Sequence, residues 1–304
     1  MIIDGRHTAA LIREEIRAEV EQLRAKGLRA PHLAVVIVGH NPASETYVSN
    51  KIKACEQVGF DATRIALEEY ITEAELLNTV RRLNEDDSID GFIVQLPLPE
   101  HISEERVTRA IDYRKDVDGL HPLNVGLTAL GQKSIVSATP KGIRELLARY
   151  EIQTEGKHVV IIGRSNIVGK PMAMLLMQKP YLQLPKMSAS ALGDATVTLC
   201  HSKTRDLKKI CQSADIIIVA AGQPNLLTAD MVPSGAVVID VGINRVEDKN
   251  SLKGYRLVGD VDFENVAPKC SFITPVPGGV GPMTIASLLQ NTMQAYKDRF
   301  AVRS

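Results

Sequence analysis

A lysine stands among apolar residues on a helical segment near the start of the 304-residue chain. The segment from Pro42 to Val58 has helical periodicity, and Lys51 falls near the centre of its apolar face, one turn after Tyr47. A lysine that faces a core must extend its ammonium group to solvent, pair it or lose the proton, because burial disfavours the charged form. A lysine with a lowered pKa can act as a general acid or base near neutral pH. The pattern alone leaves both interpretations open, a lysine that reaches solvent and a catalytic lysine.

Two further polar residues interrupt the same half of the chain. Gln95 lies near the end of the apolar run 90–96, at the strand end where open α/β sheets bind ligands. A buried glutamine needs hydrogen-bond partners, and a lysine or a substrate amide would serve. Asp118 lies in the carboxylate-rich loop 115–119, whose Asp-Gly pair is also common in turns. Asp118 as a turn former and Tyr47 as a core residue therefore remain alternatives.

A glycine turn follows a buried strand in the second half of the chain. The strand predicted over 158–162 runs into Gly163, and Gly169 opens the next helix, with Arg164 and Ser165 inside the turn. Such a turn presents backbone N–H groups and a helix N-terminus to a phosphate. The Gly-x5-Gly spacing differs from the usual dinucleotide-binding fingerprint, so a tight turn without a ligand is the alternative.

The tip of the next strand indicates which dinucleotide would bind. A site for NAD usually places a carboxylate there to hold the ribose hydroxyl. Residues 201–204 instead read His-Ser-Lys-Thr, which offers donors from Ser202 and its neighbours, and Arg164 could reach the same anion. The pattern favours NADP, whose 2′-phosphate needs donors, and a solvated loop is the alternative.

A third suggestive segment is the loop 275–283, which reads Pro-Val-Pro-Gly-Gly-Val-Gly-Pro-Met. Glycines in such a loop let the backbone approach a flat ligand closely. Structural turns would explain one or two of these glycines, not the whole run.

Strands and helices that alternate along the chain must position these residues. Continuous apolar runs predict strands buried on both faces, and amphipathic runs predict helices. This order predicts an α/β protein with mostly parallel sheets, helices on both faces, and a domain boundary near residue 140. The predicted strands are 33–38, 63–67, 90–96, 158–162, 195–199, 215–219 and 236–240, and the predicted helices include 8–26, 42–58, 140–150 and 282–300.

Local signals predict where some elements begin. A capping-box pattern starts a helix at Thr72, and Thr139 offers an N-cap for the helix that follows. Segment 115–137 is rich in glycine, aspartate and asparagine and is predicted to be irregular. Segment 177–194 is too polar and proline-broken for a simple turn, so it is interpreted as a surface excursion of unknown role.

Composition excludes several classes of partner. Lys plus Arg number 36 and Asp plus Glu 36, whereas a nucleic-acid binder normally carries a basic excess. The apolar runs are far shorter than the ~20 residues that span a bilayer, and no secretory signal is visible. Four scattered cysteines form no CxxC pair, which argues against a zinc site. We expect a cytoplasmic protein without a metal, a nucleic-acid partner or a membrane partner.

Seven segments together resemble one family: Tyr47–Lys51, Val94–Leu98, Asp116–Gly119, Thr139–Gly142, Gly163–Gly169, His201–Thr204 and Pro275–Thr284. With these segments in this order, the chain is similar over nearly its whole length to the bifunctional methylenetetrahydrofolate dehydrogenase/methenyltetrahydrofolate cyclohydrolase family. The resemblance implies a homodimer of chains with two α/β domains, the C-terminal one a Rossmann-like NADP-binding domain, and a folate cleft between them. It places the folate domain at 1–139 plus 282–304 and the NADP domain at 140–281.

The resemblance also implies roles for individual residues. Lys51 corresponds to the family's lysine, Tyr47 to its stacking tyrosine, Gln95 to the glutamine that tunes the lysine and Asp118 to its pterin-binding aspartate. These four are the catalytic candidates. Tyr47, Gln95 and Asp118 are also implied to contact substrate, together with Val94, Leu96, Pro277, Gly278, Gly279, Val280 and Gly281. The residues implied to contact the cofactor are Gly163, Arg164, Ser165, Ser202 and Ile243.

The reaction that the resemblance implies has two steps. NADP+ oxidises 5,10-methylenetetrahydrofolate to the methenyl form, and water converts that form to 10-formyltetrahydrofolate, within one-carbon metabolism and purine biosynthesis. Segment 177–194 departs from the family, because many members have a short connection there. Two alternatives remain: a dehydrogenase-only relative linked to NAD, and a non-catalytic regulator that binds a dinucleotide or metabolite.

Overall fold

Strands that alternate with helices along the chain form two parallel sheets. The structure is a computed structural model that describes residues 1–179, 192–248 and 254–301. The chain divides into two compact units. The first, here called the Lys51 unit, comprises Ala10–Thr128, Gln132–Ala138 and Ile285–Ser304. The second, here called the Gly163 unit, comprises Met1–Ala9, Ala129–Gly131 and Thr139–Thr284.

The Lys51 unit contains a three-stranded parallel sheet with the order β2-β1-β3. The central strand β1 is buried from Leu33 to Val38, which explains its uninterrupted apolar sequence. Helix α3 packs against the sheet through Leu76 and Val80, one turn apart. The elements are α1 (Gly5–Ala25), β1 (His32–Val38), α2 (Pro42–Val58), β2 (Asp61–Leu67), α3 (Glu73–Glu85), β3 (Gly91–Val94), α4 (Glu104–Ala110) and α5 (Pro122–Ala129).

The Gly163 unit contains a five-stranded parallel sheet with the order β10-β7-β6-β4-β5 and a separate two-stranded antiparallel ribbon, β8-β9. Its core consists of apolar side chains from β4, β6 and β7 and the helices that cover them. The elements are α6 (Ala138–Arg149), β4 (His158–Ile162), α7 (Gly169–Met177), β5 (Thr196–Cys200), α8 (Leu207–Gln212), β6 (Ile216–Val219), β7 (Val237–Asp240), β8 (Asn244–Glu247), β9 (Tyr255–Val258), α9 (Phe263–Val266) and β10 (Phe272–Ile273). The last helix, α10 (Val280–Ala301), begins in this unit and from Ile285 onward belongs to the Lys51 unit.

Each sheet reverses its strand order beside the first strand of its unit. In the Lys51 unit the chain adds β2 on one side of β1 and β3 on the other. In the Gly163 unit it adds β5 on one side of β4 and β6 on the other. Open α/β sheets bind ligands outside the carboxyl ends of the strands at such reversal points. The fold therefore provides one candidate ligand edge in each unit.

The predicted α/β class with two parallel sheets is confirmed, and α2 and β4 have the predicted limits. The capping box at Thr72 is also confirmed. The predicted strand 90–96 ends early, at Val94, so that Gln95 lies just beyond the strand. Within the described residues, no helix combines the length and the apolar character needed to cross a membrane.

Two local predictions are wrong. Segment 115–137 is not irregular throughout, because α5 forms over Pro122–Ala129, with a proline in its first position and Asn124 and Thr128 buried. Thr139 does not cap α6, because the helix already begins at Ala138 and the Thr139 hydroxyl instead pairs with that of Thr284, at 3.0 Å.

The interpretation of 177–194 as a surface excursion lies mostly outside the described residues, which omit 180–191. The ends of the segment are described and lie close together. The Asp194 N–H donates to the Gln178 carbonyl at 2.6 Å, and Gly193 exchanges two hydrogen bonds with Thr154.

The capping box of α3 gives a stability prediction. The Thr72 hydroxyl accepts the Glu75 N–H at 3.2 Å, and the Glu75 carboxylate accepts the Thr72 N–H at 2.8 Å. We expect Thr72→Ala to lower the free energy of unfolding by ~1 kcal/mol, because one helix N–H loses its partner. Urea unfolding followed by circular dichroism measures it. Thr79→Ala, within the same helix, is the control and should not destabilise the protein, so equal losses in the two variants would refute the prediction.

Candidate active site

Lys51 and Gln95 form a side-chain pair beside the carboxyl edge of the three-stranded sheet. Gln95 follows β3 directly, and its N–H donates to the Val36 carbonyl of β1 at 2.8 Å, which ties its backbone to the central strand. The Lys51 Nζ donates to the Gln95 Oε1 at 2.9 Å. The Gln95 Nε2 donates to the Leu96 carbonyl at 2.6 Å, so the amide presents its oxygen to the lysine. The predicted partnership of the two side chains is present.

The surroundings of Lys51 disfavour its charged form. Burial lowers the pKa of the Lys51 amine below its ordinary value of 10.5, and the negative charge of Asp118 opposes that shift. Lys51 is half-buried, and its Nζ binds Gln95 rather than solvent alone. This contact, together with the lowered pKa, favours an amine held at the sheet edge that can exchange its proton.

Asp116 performs the turn chemistry that was the alternative role for Asp118. The Asp116 carboxylate accepts the backbone N–H of His121 at 2.7 Å and that of Gly119 at 3.2 Å, together with the amide of Asn124 at 3.1 Å. Asp116 is buried, whereas Asp118 is only half-buried. The turn therefore needs no contribution from the Asp118 carboxylate, which stays available to a ligand and to Lys51.

Tyr47 is not a core residue. Its side chain is 46% exposed, whereas Val48 and Cys55 of the same helix are buried. The tyrosine therefore lies at the margin of the apolar face, one turn from Lys51, where its ring is accessible for stacking. Of the remaining substrate candidates in this unit, Val94 is buried at the end of β3 and Leu96 is half-buried.

The glycine turn in the other unit lies at the reversal point between β4 and β6. Gly163 has a φ of 125°, and a Cβ there would overlap the Ala220 carbonyl. A Cβ at Gly169 would overlap the Gly163 carbonyl, so both glycines are required for the close approach. The Ser165 Oγ accepts the Val168 N–H at 3.1 Å, and α7 begins at Gly169. The turn can present backbone N–H groups to a phosphate.

Exposed donors surround this turn and the neighbouring strand tip. Arg164 and Ser165 are exposed in the turn, and Ser202 is exposed after β5. The tip is held by local hydrogen bonds, since the Thr204 hydroxyl accepts the His201 N–H at 2.8 Å. Ile162 and Cys200 are register partners in the sheet, so the turn and the tip follow adjacent strand ends. This arrangement fits a dinucleotide with an added phosphate.

The loop 275–281 packs against residues near the amino terminus of the same unit. A Cβ at Gly5 would overlap the Gly279 carbonyl, and the Arg6 N–H donates to the Gly278 carbonyl at 3.0 Å. Ile243 is 47% exposed, and its Cδ1 lies 3.5 Å from where a Cβ of Gly281 would stand. The loop therefore meets the side chain implied to contact the cofactor. Pro277 is exposed, whereas Val280 is buried at the start of α10.

The predicted site residues fall into two groups, one in each unit. Tyr47, Lys51, Gln95 and Asp118, with Val94 and Leu96, belong to the Lys51 unit. The cofactor candidates and the loop 277–281 belong to the Gly163 unit.

Sequence reasoning missed three ionisable side chains in the Gly163 unit, the half-buried Lys141 and the buried Asp240 and Asp260. Burial lowers the pKa of the Lys141 amine to about 8, with Glu145 opposing that shift. Burial also raises the pKa of the Asp240 carboxyl to about 7, against the N–H donors of Asp260 and Val261. The sequence offered one signal for Asp240, which is the single carboxylate at the end of the apolar run 236–240. Its hydrogen-bond partner, the Asp260 N–H, comes from another loop.

Fold and site together define a doubly wound α/β protein. One unit has a glycine turn of the kind that binds phosphate, and the other has a lysine at a sheet edge whose pKa is lowered by burial. Family models match both parts of the chain. The model described as tetrahydrofolate dehydrogenase/cyclohydrolase, catalytic domain, matches residues 3–118. The model described as tetrahydrofolate dehydrogenase/cyclohydrolase, NAD(P)-binding domain, matches residues 137–300. The chain belongs to the tetrahydrofolate dehydrogenase/cyclohydrolase family.

Full-length relatives agree with this assignment. The chain is 59% identical over 296 residues to the Bifunctional protein FolD of Bacteroides thetaiotaomicron, covering 97% of this chain and 98% of the relative. It is similar to the crystal structure of the bifunctional enzyme FolD from Campylobacter jejuni, with 49% identity, a TM-score of 0.88 and coverage of 98% and 99%. The Trypanosoma brucei enzyme, crystallised with NADP cofactor and inhibitor, is 39% identical, with a TM-score of 0.89 and coverage of 100% and 99%.

The burial of Lys51 gives a titration prediction. We expect the Lys51 amine to titrate below 10.5, and Asp118→Asn to lower its pKa further, because the aspartate charge raises it. The ¹³C shift of the lysine ε-carbon against pH measures both values, with the Lys51 signal assigned from its absence in Lys51→Met. Glu56→Gln, on the exposed face of α2, is the control and should move the pKa less. A Lys51 pKa at or above 10.5 would contradict the argument.

Proposed function

We propose that this chain oxidises 5,10-methylenetetrahydrofolate with NADP+ and hydrolyses the methenyl product to 10-formyltetrahydrofolate. The observation that carries the proposal is the Lys51 amine, which has a lowered pKa and donates to Gln95 beside a ligand-binding sheet edge. The relatives named above support both activities, because their names describe a bifunctional protein and a dehydrogenase/cyclohydrolase.

For the first step, the Gly163 unit would hold the cofactor. NADP+, when bound, accepts a hydride from the one-carbon bridge of the folate and becomes NADPH. The turn at Gly163 and the N-terminus of α7 would bind its phosphates through backbone N–H groups. The Ile243 side chain would contact the cofactor near the nicotinamide, and the glycine loop 277–281 would contact the substrate. These residues contribute alignment, because hydride transfer depends on the distance between donor and acceptor carbons.

For the second step, Lys51 would move the proton. The methenyl product is cationic, so a permanently charged ammonium group beside it would be repelled. A neutral Lys51 amine accepts a proton from the water that attacks the methenyl carbon, which releases one proton overall and leaves the formyl group on nitrogen N10. Asp118 would bind the pterin, and its negative charge also suits the cation. Tyr47 would stack on the substrate and Gln95 would orient the amine.

The choice of NADP over NAD follows from the strand tip. No carboxylate occurs among residues 201–204, and Ser202, Lys203 and Arg164 are exposed donors. An arginine fork binds phosphate oxygens in a bidentate manner. The Trypanosoma brucei relative was crystallised with NADP, which supports the same choice.

Further proposals rest on the family resemblance. We propose a homodimer that acts in the cytoplasm and supplies one-carbon units to purine biosynthesis. We also propose that the folate domain comprises 1–139 plus 282–304 and the NADP domain 140–281. The family models match residues 3–118 and 137–300, which supports a domain boundary near residue 139.

Lys51→Met tests the hydrolytic role. We expect methenyl hydrolysis to fall by at least ~100-fold, because general acid–base catalysis contributes about 10²–10⁴-fold, while NADP+ binding stays unchanged. The loss of methenyl absorbance near 350 nm at controlled pH measures hydrolysis, and calorimetry measures binding. Lys53→Met, on the exposed face of the same helix, is the control and should keep the wild-type rate.

Unchanged hydrolysis in Lys51→Met would refute the role of the lysine. Wild-type protein that forms NADH from methylenetetrahydrofolate without hydrolysing methenyltetrahydrofolate would support the dehydrogenase-only alternative. Wild-type protein with neither activity would support a regulator.

Arg164→Ala tests the preference for NADP. We expect the ratio of kcat/KM for NADP+ to that for NAD+ to fall about 10-fold or more, because a charged hydrogen bond contributes about 1.5–3 kcal/mol. Initial rates at 340 nm with each cofactor measure the ratio. Lys209→Ala removes an exposed cation from α8 and should leave the ratio unchanged. Equal kcat/KM for the two cofactors in the wild type would show that the preference is absent.

A further inference from the structure

Two buried carboxylates lie behind the carboxyl edge of the five-stranded sheet. Asp240 ends β7 and is 2% exposed, and Asp260 follows β9 and is 0% exposed. The role proposed for the dinucleotide site does not use either of them. Carboxylates are seldom buried without partners, because the loss of hydration must be offset by hydrogen bonds.

Each carboxylate binds backbone N–H groups from loops that are distant in sequence. The Asp240 Oδ1 accepts the N–H groups of Gly242 at 3.0 Å and Asp260 at 2.9 Å, and its Oδ2 accepts that of Val261 at 3.0 Å. The Asp260 Oδ2 accepts the N–H groups of Ala221 at 2.7 Å and Gly222 at 2.8 Å. The two side chains thus connect the turns after β6, β7 and β9.

The two carboxylates also interlock with two glycines in a reciprocal way. A Cβ at Gly259 would overlap the Asp240 carboxylate, and a Cβ at Gly242 would overlap the Asp260 carboxylate. Each aspartate is therefore adjacent in sequence, or nearly so, to the glycine that makes room for the other. Such a pairing fixes the backbone of both loops at once, because neither loop can shift without displacing the carboxylate of the other.

The turns that this pair holds are those nearest to the proposed cofactor site. Ala220, just before the Asp260-bound N–H groups, packs its carbonyl against Gly163 of the phosphate turn. Ile243 directly follows Gly242, whose N–H Asp240 binds. The pair thus supports the backbone against which the glycine turn packs, and it supports Ile243, the residue implied to lie near the nicotinamide.

We propose that Asp240 and Asp260 are positioning residues for hydride transfer, which fix the turns after β6 and β7 and so set the position of Ile243 at the cofactor. This inference rests on the proposed dehydrogenase function. The groups that these carboxylates bind all lie in the Gly163 unit and outside the substrate loop 277–281, so their loss affects hydride transfer and leaves methenyl hydrolysis intact.

The pattern of acceptors distinguishes the two aspartates. An amide offers only one oxygen, so Asp240→Asn places an NH2 group against a backbone N–H and cannot keep all three hydrogen bonds. Asp260→Asn can keep its oxygen on Ala221 and Gly222, since its other oxygen accepts only the Asn244 side-chain amide, at 2.8 Å, and that amide can rotate. Asp240→Asn is therefore the more damaging of two matched changes.

The test measures three quantities for Asp240→Asn, Asp260→Asn and the control Asp215→Asn. They are the steady-state constants of NADP+ reduction, the hydrolysis of methenyltetrahydrofolate supplied without cofactor, and the Kd of NADP+ by calorimetry. Asp215 accepts the His158 N–H at 2.8 Å at the opposite, amino-terminal end of the sheet. It therefore controls for loss of a carboxylate that binds a backbone N–H in the same unit.

For Asp240→Asn we expect the dehydrogenase kcat to fall at least 10-fold, with hydrolysis within twofold of wild type and the Kd of NADP+ raised less than fivefold. For Asp260→Asn the loss in kcat should be at least threefold smaller, and Asp215→Asn should match wild type. A kcat for Asp240→Asn equal to that of the control overturns the inference, as does an equal fall in both activities.

Two further outcomes have fixed meanings. If Asp240→Asn gives no folded protein, Asn244→Ala decides, because it removes only one hydrogen bond from Asp260. A selective loss of dehydrogenase kcat of at least threefold then supports the inference, and wild-type kcat overturns it. Wild-type protein that lacks NADP+ reduction altogether contradicts the proposed function itself, a result separate from any difference between variants.

Discussion

Removal of the Lys51 amine from water is the constraint on which the candidate site depends. An amine that loses its hydration keeps a proton only if fixed dipoles or charges replace the water. The Gln95 Oε1 supplies the dipole and Asp118 supplies a charge, and the pKa of Lys51 remains lowered in spite of both. The position of Gln95 depends in turn on the pairing of β3 with β1, where Val94 is the register partner of Val36. Close packing of an apolar sheet thus fixes a polar pair at its edge.

Both units place functional groups at a sheet edge through the same strand topology. In each, the next two strands pair on opposite sides of the unit's first strand, so the connections diverge and leave room outside the strand ends. The Lys51 unit places a glutamine side chain there, whose oxygen accepts a hydrogen bond from the Lys51 amine. The Gly163 unit places a glycine there, because a Cβ would overlap the Ala220 carbonyl and only bare backbone fits. Similar topology therefore places an amine with a hydrogen-bonded glutamine at the edge of one sheet and a glycine turn at the edge of the other.

Local sequence predicted what depends on local periodicity and missed what depends on distant contacts. The limits of α2 and β4 were predictable because both have continuous patterns bounded by glycine or proline. Helix α5 was missed because its buried residues include Asn124, whose amide binds the Tyr113 carbonyl at 2.7 Å and the Asp116 carboxylate. Glycine and asparagine in that segment suggested a loop, and tertiary hydrogen bonds overrode their propensity. The Lys51–Gln95 pair could be predicted, because a polar residue in each of two apolar elements needs a partner.

The Asp240–Asp260 pair shows why some site residues escape any analysis of a single segment. Each carboxylate closes or follows a strand, where an aspartate is unremarkable, and its partners come from turns up to 39 residues away in the chain. The evidence lies in the glycines as much as in the aspartates. Gly242 and Gly259 have no requirement for positive φ, so their small size reflects the carboxylate that each one accommodates. A glycine with ordinary backbone angles beside a strand end therefore indicates a close approach by another group, and here that group is a buried carboxyl group that holds two turns together.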